Sequence, residues 1–273
     1  MKKIEAIIKP FKLAEVKQAL LEAGLEEIRA DAGELYSLVQ SDDGRGETLA
    51  AQYPSLRSPS TLRLLREGPG ARLAARLMGV SSAQLVLDQV FYKQAGPIVP
   101  TPWHQDTPFL QVRGDQMARV WMSCDSSPAE LSVQVVRGSH RWNVVFDTAT
   151  MAESKVRTAG EGDAFTYDGM SAPGQPAVPD IEAHRGSFDI MRFDVEPGDA
   201  VVFNGNMLHG AQGCDHHPLP RRALAVMWAG PNLRYHRPAA HAMPLPGGSD
   251  AAAIPHGARI GDHPEAFPLF WRE

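Results

Sequence analysis

Hydrophobic and polar positions follow two different periods along this chain of 273 residues. Residues 13–21 and 62–78 carry apolar side chains three or four positions apart, a spacing that places them on one face of a helix. Gly24 ends the first of these patterns. Residues 1–80 are therefore predicted to be mostly helical.

From about residue 84 the period changes to two, which is the period of a β-strand. Clusters of Gly, Pro, Asp and Ser separate short runs that are rich in β-branched and aromatic residues. These runs lie at 85–93, 116–124, 131–136, 187–194, 200–203 and 221–228. Several short strands without helices between them indicate an antiparallel sandwich or barrel. We expect one domain over 1–273, with a β-rich core at 81–237 and a C-terminal extension at 238–273.

Residues 143–186 interrupt the strand pattern with a long stretch rich in Gly, Ala, Pro and Asp. A loop of this length inside a compact domain usually has a function. We expect it to act as a lid over a ligand site.

Composition and charge narrow the classes of function. A net charge of −5 with scattered basic residues does not suit a protein that binds the nucleic-acid backbone. Cys124 and Cys214 are too few for a disulfide framework, and no run reaches the roughly 20 apolar residues of a membrane helix. We therefore expect a cytoplasmic globular protein with neither a nucleic-acid nor a membrane partner. The sequence leaves the choice between a monomer and a homo-oligomer open.

A histidine and a carboxylate stand two residues apart at His104 and Asp106. On a strand, positions i and i+2 project from the same face, so both side chains could reach one metal ion while Gln105 points away. His209 follows a strong turn and strand pattern at 197–203. Two imidazoles and one carboxylate form a facial triad that suits Fe(II). This triad leaves coordination positions open for a chelating 2-oxo acid and for O₂.

A His-x-Asp pair alone is a weak indication of a metal site, because such pairs also occur in turns. Other histidines compete for the place of the third ligand: His140, His184, His216, His217, His236, His241, His256 and His263. Most of them lie in polar segments rich in Pro and Gly, which are typical of a solvated surface. His209 is preferred because it ends a strand pattern and an arginine follows on the next strand.

The run at 221–228 predicts a strand with two unlike faces. Arg221 shares its face with small residues that leave room for a ligand, and its guanidinium could bind a carboxylate through two hydrogen bonds. Arg222 shares the bulky face and is expected to be a surface arginine. The choice between the two as the ligand-binding arginine stays open at this point.

Three further residues are candidates for the wall of the same pocket. Trp121 lies in the predicted strand 116–124, where core packing is its alternative role. Gln89 and Lys93 share the face of the predicted strand 85–93 that leads towards His104. Lys93 could meet a ligand carboxylate or extend to solvent as an ordinary surface lysine.

Between residues 85 and 237 the chain resembles the phytanoyl-CoA dioxygenase family of Fe(II)/2-oxoglutarate-dependent oxygenases. The resemblance rests on ordered motifs at 91–93, 101–106, 121–123, 135–142, 197–203, 208–211 and 221–224. It implies a mainly β (α+β) fold, with a double-stranded β-helix core of the cupin-like jelly-roll type and flanking N-terminal helices.

The same resemblance implies roles for individual residues. By matching position, His104, Asp106 and His209 would bind iron. Arg221 would hold the distal carboxylate of 2-oxoglutarate, with Trp121 lining that site. The implied reaction is the hydroxylation of a small organic molecule by O₂ with release of succinate and CO₂.

Two other functions remain open from the sequence. One is a cupin-type metalloenzyme that does not use 2-oxoglutarate, and the other is a non-catalytic sensor that binds 2-oxoglutarate. The first 25 residues are similar to the start of PII nitrogen-signalling proteins, which mildly favours the sensor. One strand and one helix cannot bury a core alone, so a complete PII domain is not expected.

Overall fold

A computed structural model of the chain describes residues 5–8, 38–41, 47–149, 156–158, 174–237, 245–247 and 253–273. The helices in these residues are α1 (Pro59–Glu67) and α2 (Gly70–Met78). The strands are β1 (Glu5–Ile8), β2 (Leu38–Ser41), β3 (Glu47–Gln52), β4 (Ser82–Lys93), β5 (Gly96–Ile98), β6 (Thr101–His104), β7 (Val112–Arg113), β8 (Met117–Ser123), β9 (Gln134–Val136), β10 (Val156–Thr158), β11 (Ile190–Met191), β12 (Ala200–Asn204), β13 (His209–Ala211), β14 (Cys214–His217), β15 (Arg221–Ala229), β16 (Arg234–Tyr235) and β17 (Leu269–Arg272). Each of the strand runs expected from the sequence overlaps one of these strands.

Two antiparallel sheets build the barrel. The larger sheet has the strand order β1-β12-β8-β15-β4-β3-β2-β10, with β17 also paired to β4. The smaller sheet has the order β11-β9-β13-β6. Val135 from the smaller sheet packs with Val201 and Phe203 from the larger one, so the two sheets share a buried interior. The predicted mainly β, jelly-roll fold is confirmed.

The two helices begin and end at residues with clear capping roles. At the start of α1 the hydroxyl of Ser58 accepts a hydrogen bond from the Thr61 amide at 3.2 Å, and Pro59 occupies the first helical position. Pro69 cannot continue the hydrogen-bond ladder, so the apolar run at 62–78 forms two helices. α2 ends at Gly79, whose φ of 69° is a left-handed conformation that glycine adopts without strain.

The helices cover the outer face of the larger sheet. Leu64, Leu65 and Ala74 from the helices are buried against Val120 and Leu224 from the sheet. Because hydrophobic packing fills this outer face, a ligand-binding site is expected on the inner face of the sheet, which lines the interior of the barrel.

The described residues of the N-terminal part include strands as well as the two helices. Within residues 1–80, β1 pairs with β12, while β2 and β3 extend the larger sheet beyond β4. These strands do not show strict alternation of apolar and polar residues, because pairing with the sheet decides their conformation more than local preference does. The helix predicted at 13–21 lies outside the described residues.

The predicted lid and the C-terminal extension contact the barrel where they are described. Within the range 143–186, β10 pairs with β2, and Ile181 packs on Trp103 on the outer side of the smaller sheet. In the extension, Ile260 and Phe267 are fully buried, so this segment contributes to the core. Among the described helices, none is long and apolar enough to cross a membrane.

Candidate metal centre

Two neighbouring strands of the smaller sheet bring the two histidines together. His104 ends β6, His209 begins β13, and the two residues are directly opposite each other in the antiparallel pairing. Their ring centroids lie 4.2 Å apart. Cross-strand partners share a face of the sheet, so both imidazoles point into the barrel.

Gly210 allows this close pairing. The register between β13 and β6 shifts immediately after His209. A Cβ at Gly210 would lie 2.9 Å from the carbonyl oxygen of Thr101 and 3.3 Å from the backbone nitrogen of Trp103. A side chain here would push the two strands apart and separate His209 from His104.

Asp106 reaches the histidines from a turn, whereas the spacing of His104 and Asp106 predicts a strand at this position. β6 ends at His104, and Asp106 precedes a short 3₁₀ turn at Thr107–Phe109. Gln105 points away, as expected, and its amide nitrogen donates to the carbonyl oxygens of Val144 at 3.0 Å and Asn206 at 2.8 Å. The predicted convergence is present, but a strand end followed by a turn produces it.

The three side chains form a compact donor set. The Oδ1 atom of Asp106 lies 3.9 Å from Nε2 of His104 and 3.7 Å from Nε2 of His209. The potential ligand atoms of all three residues lie within 4.8 Å of one another. Such spacing allows one ion to contact all three.

Backbone carbonyl groups fix the tautomer of both imidazoles. Nδ1 of His104 lies 2.7 Å from the carbonyl oxygen of Pro102, and Nδ1 of His209 lies 3.0 Å from that of Met207. A carbonyl oxygen can only accept, so Nδ1 carries the proton in each ring and Nε2 offers its lone pair. Burial, with a contribution from His209, lowers the pKa of His104 to about 3, and burial also lowers the pKa of His209. Both rings are therefore neutral at pH 7, the form that binds metals.

Arg119 lies beside Asp106 and was not singled out from the sequence. It belongs to β8, is only 3% exposed, and places Nε 3.5 Å from Oδ2 of Asp106. Burial would raise the pKa of Asp106, but Arg119, His209 and His104 hold it below its usual value. The carboxylate is therefore ionised at neutral pH. Two neutral nitrogens and one anionic oxygen are a donor set that fits Fe(II).

Two further charged residues lie on the inner face of the larger sheet. Lys93 on β4 and Arg221 on β15 are directly opposite each other, and both are more than nine-tenths buried. Nζ of Lys93 donates to the carbonyl oxygen of Val99 at 2.6 Å and to the hydroxyl of Thr101 at 3.0 Å. Among the described residues, Nε and Nη1 of Arg221 have no hydrogen-bond partner. Two buried cations, one of them with unsatisfied donors among the described residues, are the environment that an anionic ligand requires.

Burial also changes the acidity of these two cations. It lowers the pKa of Lys93 to about 7, with a further contribution from Arg221, and it lowers the pKa of Arg221 to about 10. Arg221 therefore stays charged at neutral pH, whereas Lys93 is close to its titration point.

The strand register places the remaining predicted pocket residues on the same inner face. Gln89 on β4 and Trp121 on β8 both pair with Ala225, and the small side chain of Ala225 leaves room between them. The side-chain oxygen of Gln89 accepts a hydrogen bond from Nη2 of Arg119. Gln52 lies opposite Gln89, is buried, and has no partner for its amide among the described residues. Nothing in the sequence singles out Gln52, because only the pairing of β3 with β4 reveals the direction of its side chain.

Arg222 faces the other side of β15. Its Nη2 and Nε atoms donate to the carboxylate of Asp125 at 2.6 and 3.0 Å, and its backbone amide donates to the same group at 2.7 Å. Arg222 is already paired, so of the two arginines Arg221 is the one whose donors lack partners within the described part of the chain.

Comparison with protein families gives one match over most of the chain. The model of the family described as phytanoyl-CoA dioxygenase matches residues 7–215. This range includes His104, Asp106 and His209 and ends before Arg221.

Several solved structures share the fold. The non-haem alpha-ketoglutarate-dependent epimerase SnoN from nogalamycin biosynthesis is 19% identical, with a TM-score of 0.65 over 98% of this chain and 93% of that chain. The carbocyclase SnoK from the same biosynthesis is 15% identical, with a TM-score of 0.61 over 94% and 87%. EctD from S. alaskensis is 17% identical, with a TM-score of 0.61 over 89% and 79%. At these identities the likeness shows the fold alone.

The similarity of the N-terminus to PII proteins is confirmed over a short segment. It is 82% identical over 28 residues to the Nitrogen regulatory protein P-II of Mesorhizobium japonicum and 79% identical over 28 residues to that of Bradyrhizobium diazoefficiens. The segment is 10% of this chain, and the chain spans about a quarter of the length of these curated relatives. In the structure, β1 of this segment pairs with β12 of the barrel.

Proposed function

Because the chain belongs to the phytanoyl-CoA dioxygenase family, we propose that it is an Fe(II)- and 2-oxoglutarate-dependent oxygenase acting on a small organic molecule. The observation that carries this proposal is the combination of two sites in one barrel, one formed by strands of the smaller sheet and one on the inner face of the larger sheet. A triad of two neutral imidazoles and a carboxylate could hold a metal, and the buried Arg221 and Lys93 could hold a dicarboxylic acid.

The residues of the two sites have binding or orienting roles in this proposal. His104, Asp106 and His209 would hold iron from one side and leave its other positions accessible. Arg221 and Lys93 would pair with the distal carboxylate of 2-oxoglutarate. When bound, iron and 2-oxoglutarate supply the oxidation itself, with O₂ consumed and succinate and CO₂ released.

The pocket walls would limit how the co-substrate can lie. Trp121 and Gln89 flank Ala225 on the inner face, so a ligand between the two sites would contact all three. A 2-oxo acid held at both ends in this way presents a fixed geometry to the metal. The 143–186 segment would close over the site and exclude water.

Hydroxylation is the reaction that we propose within this class. Proteins of the same fold include one described as an epimerase and one described as a carbocyclase, so the fold does not decide the outcome. The buried amide of Gln52, which has no partner among the described residues, suggests that the substrate carries a group able to accept and donate hydrogen bonds.

Anaerobic reconstitution tests the proposal. Adding Fe(II) and then 2-oxoglutarate should produce a visible charge-transfer absorption, and admitting O₂ with a library of small metabolites should release succinate. Zn(II) in place of Fe(II) is the control, because it can occupy the triad without redox chemistry. Binding of 2-oxoglutarate without O₂ consumption for any metabolite would indicate a sensor. Metal binding without 2-oxoglutarate binding would indicate another cupin-type enzyme.

The lowered pKa of Lys93 predicts that 2-oxoglutarate binds more weakly as the pH rises. In the free protein Lys93 is fully protonated only below its pKa of about 7. A bound carboxylate raises that pKa, so binding takes up a proton whenever the pH is above about 7. The Kd should be nearly constant below this pH and increase by up to about tenfold per pH unit above it.

Anaerobic calorimetry from about pH 6 to about pH 9 would measure this dependence. Lys93→Met is the matched variant, because it keeps the length of the side chain without its charge. It should bind 2-oxoglutarate more weakly at low pH and lose the pH dependence. A wild-type Kd that stays constant across the whole range would exclude Lys93 as a ligand contact.

A further inference from the structure

Arg119 occupies a central position on the inner face of the larger sheet. In the strand register it lies between Phe203 of β12 and Met227 of β15, both of which are buried apolar residues. A guanidinium in such surroundings requires anionic or polar partners, because an unpaired buried charge is strongly unfavourable. Its partners therefore indicate why the residue is there.

Two side chains hold the guanidinium in one orientation. Nη2 donates to the side-chain oxygen of Gln89, and Nε faces Oδ2 of Asp106 at 3.5 Å. The planar fork of an arginine can make both contacts at once, whereas a lysine ammonium on its flexible stem is a single point charge. Nη1 is buried without a hydrogen-bond partner among the described residues.

The two oxygens of Asp106 consequently have different surroundings. Oδ1 faces the imidazole nitrogens of His104 and His209, at 3.9 and 3.7 Å. Oδ2 is buried, faces Arg119, and has no hydrogen-bond partner among the described residues. A metal ion between the imidazoles would meet Oδ1, while the positive charge of Arg119 attracts Oδ2 away from that ion.

We propose that Arg119 is a positioning residue that keeps Asp106 a ligand through one oxygen. This inference rests on the proposed function, in which the metal needs two positions for the 2-oxo acid and one for O₂. A carboxylate that binds through both oxygens takes one of these three positions. By holding Oδ2, Arg119 prevents Asp106 from binding the metal through both oxygens, so the metal stays accessible to the co-substrate.

Arg119→Met is the variant that tests the inference, because methionine occupies a similar volume without the charge or the donors. In the Fe(II)-loaded variant without 2-oxoglutarate, X-ray absorption at the iron edge should show a carboxylate bound through both oxygens. The wild type should show a carboxylate bound through one. Iron affinity, measured by chelator competition, should be unchanged or higher, because the second contact between Asp106 and the metal offsets the loss of affinity that removing a supporting partner of a ligand usually causes. The Kd of 2-oxoglutarate for the iron-loaded protein should rise on the order of tenfold or more.

Arg119→Lys is the second variant, because it keeps a buried positive charge if Arg119→Met does not fold. It should restore part of the 2-oxoglutarate affinity and part of the one-oxygen coordination. A purely structural role would lower the melting temperature and leave the coordination of Asp106 unchanged, and this result would overturn the inference. A loss of iron affinity in both variants would also overturn it.

The same experiment separates this inference from the proposed function. If the wild type binds neither Fe(II) nor 2-oxoglutarate, the proposed function fails, and the inference fails with it. If the wild type binds both and Arg119→Met shows the same coordination and the same Kd, only the role of Arg119 is wrong.

Discussion

Asp106→Ala is expected to weaken Fe(II) binding by at least about 100-fold and to abolish substrate-dependent succinate release. The substitution removes the anionic member of the donor set and leaves two neutral imidazoles. It also leaves the buried charge of Arg119 close to the vacated position, where it repels a cation. Altering a partner that only supports a ligand typically costs 10- to 100-fold in metal affinity, so losing a ligand itself should cost about as much or more.

Stability should change together with iron affinity. Breaking a buried ion pair by removing one partner typically costs about 3–5 kcal/mol, because the remaining charge stays buried without compensation. In the metal-free protein, Asp106→Ala should therefore lower the free energy of unfolding by an amount of this order, measured in urea. This effect is separate from metal binding, so it would remain in the presence of a chelator.

Two variants serve as controls for Asp106→Ala. Asp106→Asn keeps the volume and one oxygen, and should fall between the wild type and Asp106→Ala in iron affinity. Asp125→Asn removes a carboxylate that pairs with Arg222 on the other side of β15, and should leave iron affinity unchanged. Iron retained after gel filtration and chelator competition provide the measurement. Full succinate release by Asp106→Ala would refute the ligand assignment.

The sequence alone predicted the candidate triad better than it predicted the geometry that creates it. The spacing of His104 and Asp106 suggested two side chains on one strand face, yet the strand ends at His104 and Asp106 stands in a turn. His209 could be chosen only by its place after a strand pattern. Its position opposite His104 depends on strand pairing and on the absence of a side chain at Gly210, and neither can be derived from periodicity.

Long-range pairing also explains which pocket residues the sequence missed. Arg119 stands in a run of mostly apolar residues, and a charge inside a strand buried on both faces is itself a signal of a buried partner. That signal does not identify the partner, because Asp106 and Gln89 come from other elements. Gln52 had no signal at all, since β3 was expected to be helical.

The sequence also could not distinguish the roles of the two arginines at 221 and 222, because strand pairing cannot be read from periodicity. Alternation along one strand separates their faces but does not say which face looks into the barrel. The hydrogen-bond partners distinguish the two faces. Arg222 pairs with Asp125, whereas Arg221 lies opposite Lys93 and has donors that no described residue satisfies. The ligand-binding role of Arg221 is therefore a prediction that can be tested by comparing a variant of Arg221 with a variant of Arg222.

Arg221→Met is expected to raise the Kd of 2-oxoglutarate on the order of 100-fold while leaving iron affinity unchanged. Removing one partner of a buried, hydrogen-bonded charge pair costs about 2–5 kcal/mol, and a 100-fold loss corresponds to about 2.7 kcal/mol. Lys93 remains as a second cation, so binding should weaken without disappearing. Titration of the iron-loaded protein under anaerobic conditions gives the Kd.

Arg222→Met is the matched control, because it removes the same group from the neighbouring residue, and it should bind 2-oxoglutarate like the wild type. A second control uses 2-oxopentanoate, which keeps the chelating atoms of 2-oxoglutarate but lacks its distal carboxylate. Wild type and Arg221→Met should bind this acid with similar affinity, because Arg221 then has no carboxylate to pair with. If Arg222→Met weakens 2-oxoglutarate binding and Arg221→Met does not, the co-substrate lies on the other side of β15 and the pocket described by Lys93 and Arg221 has another use.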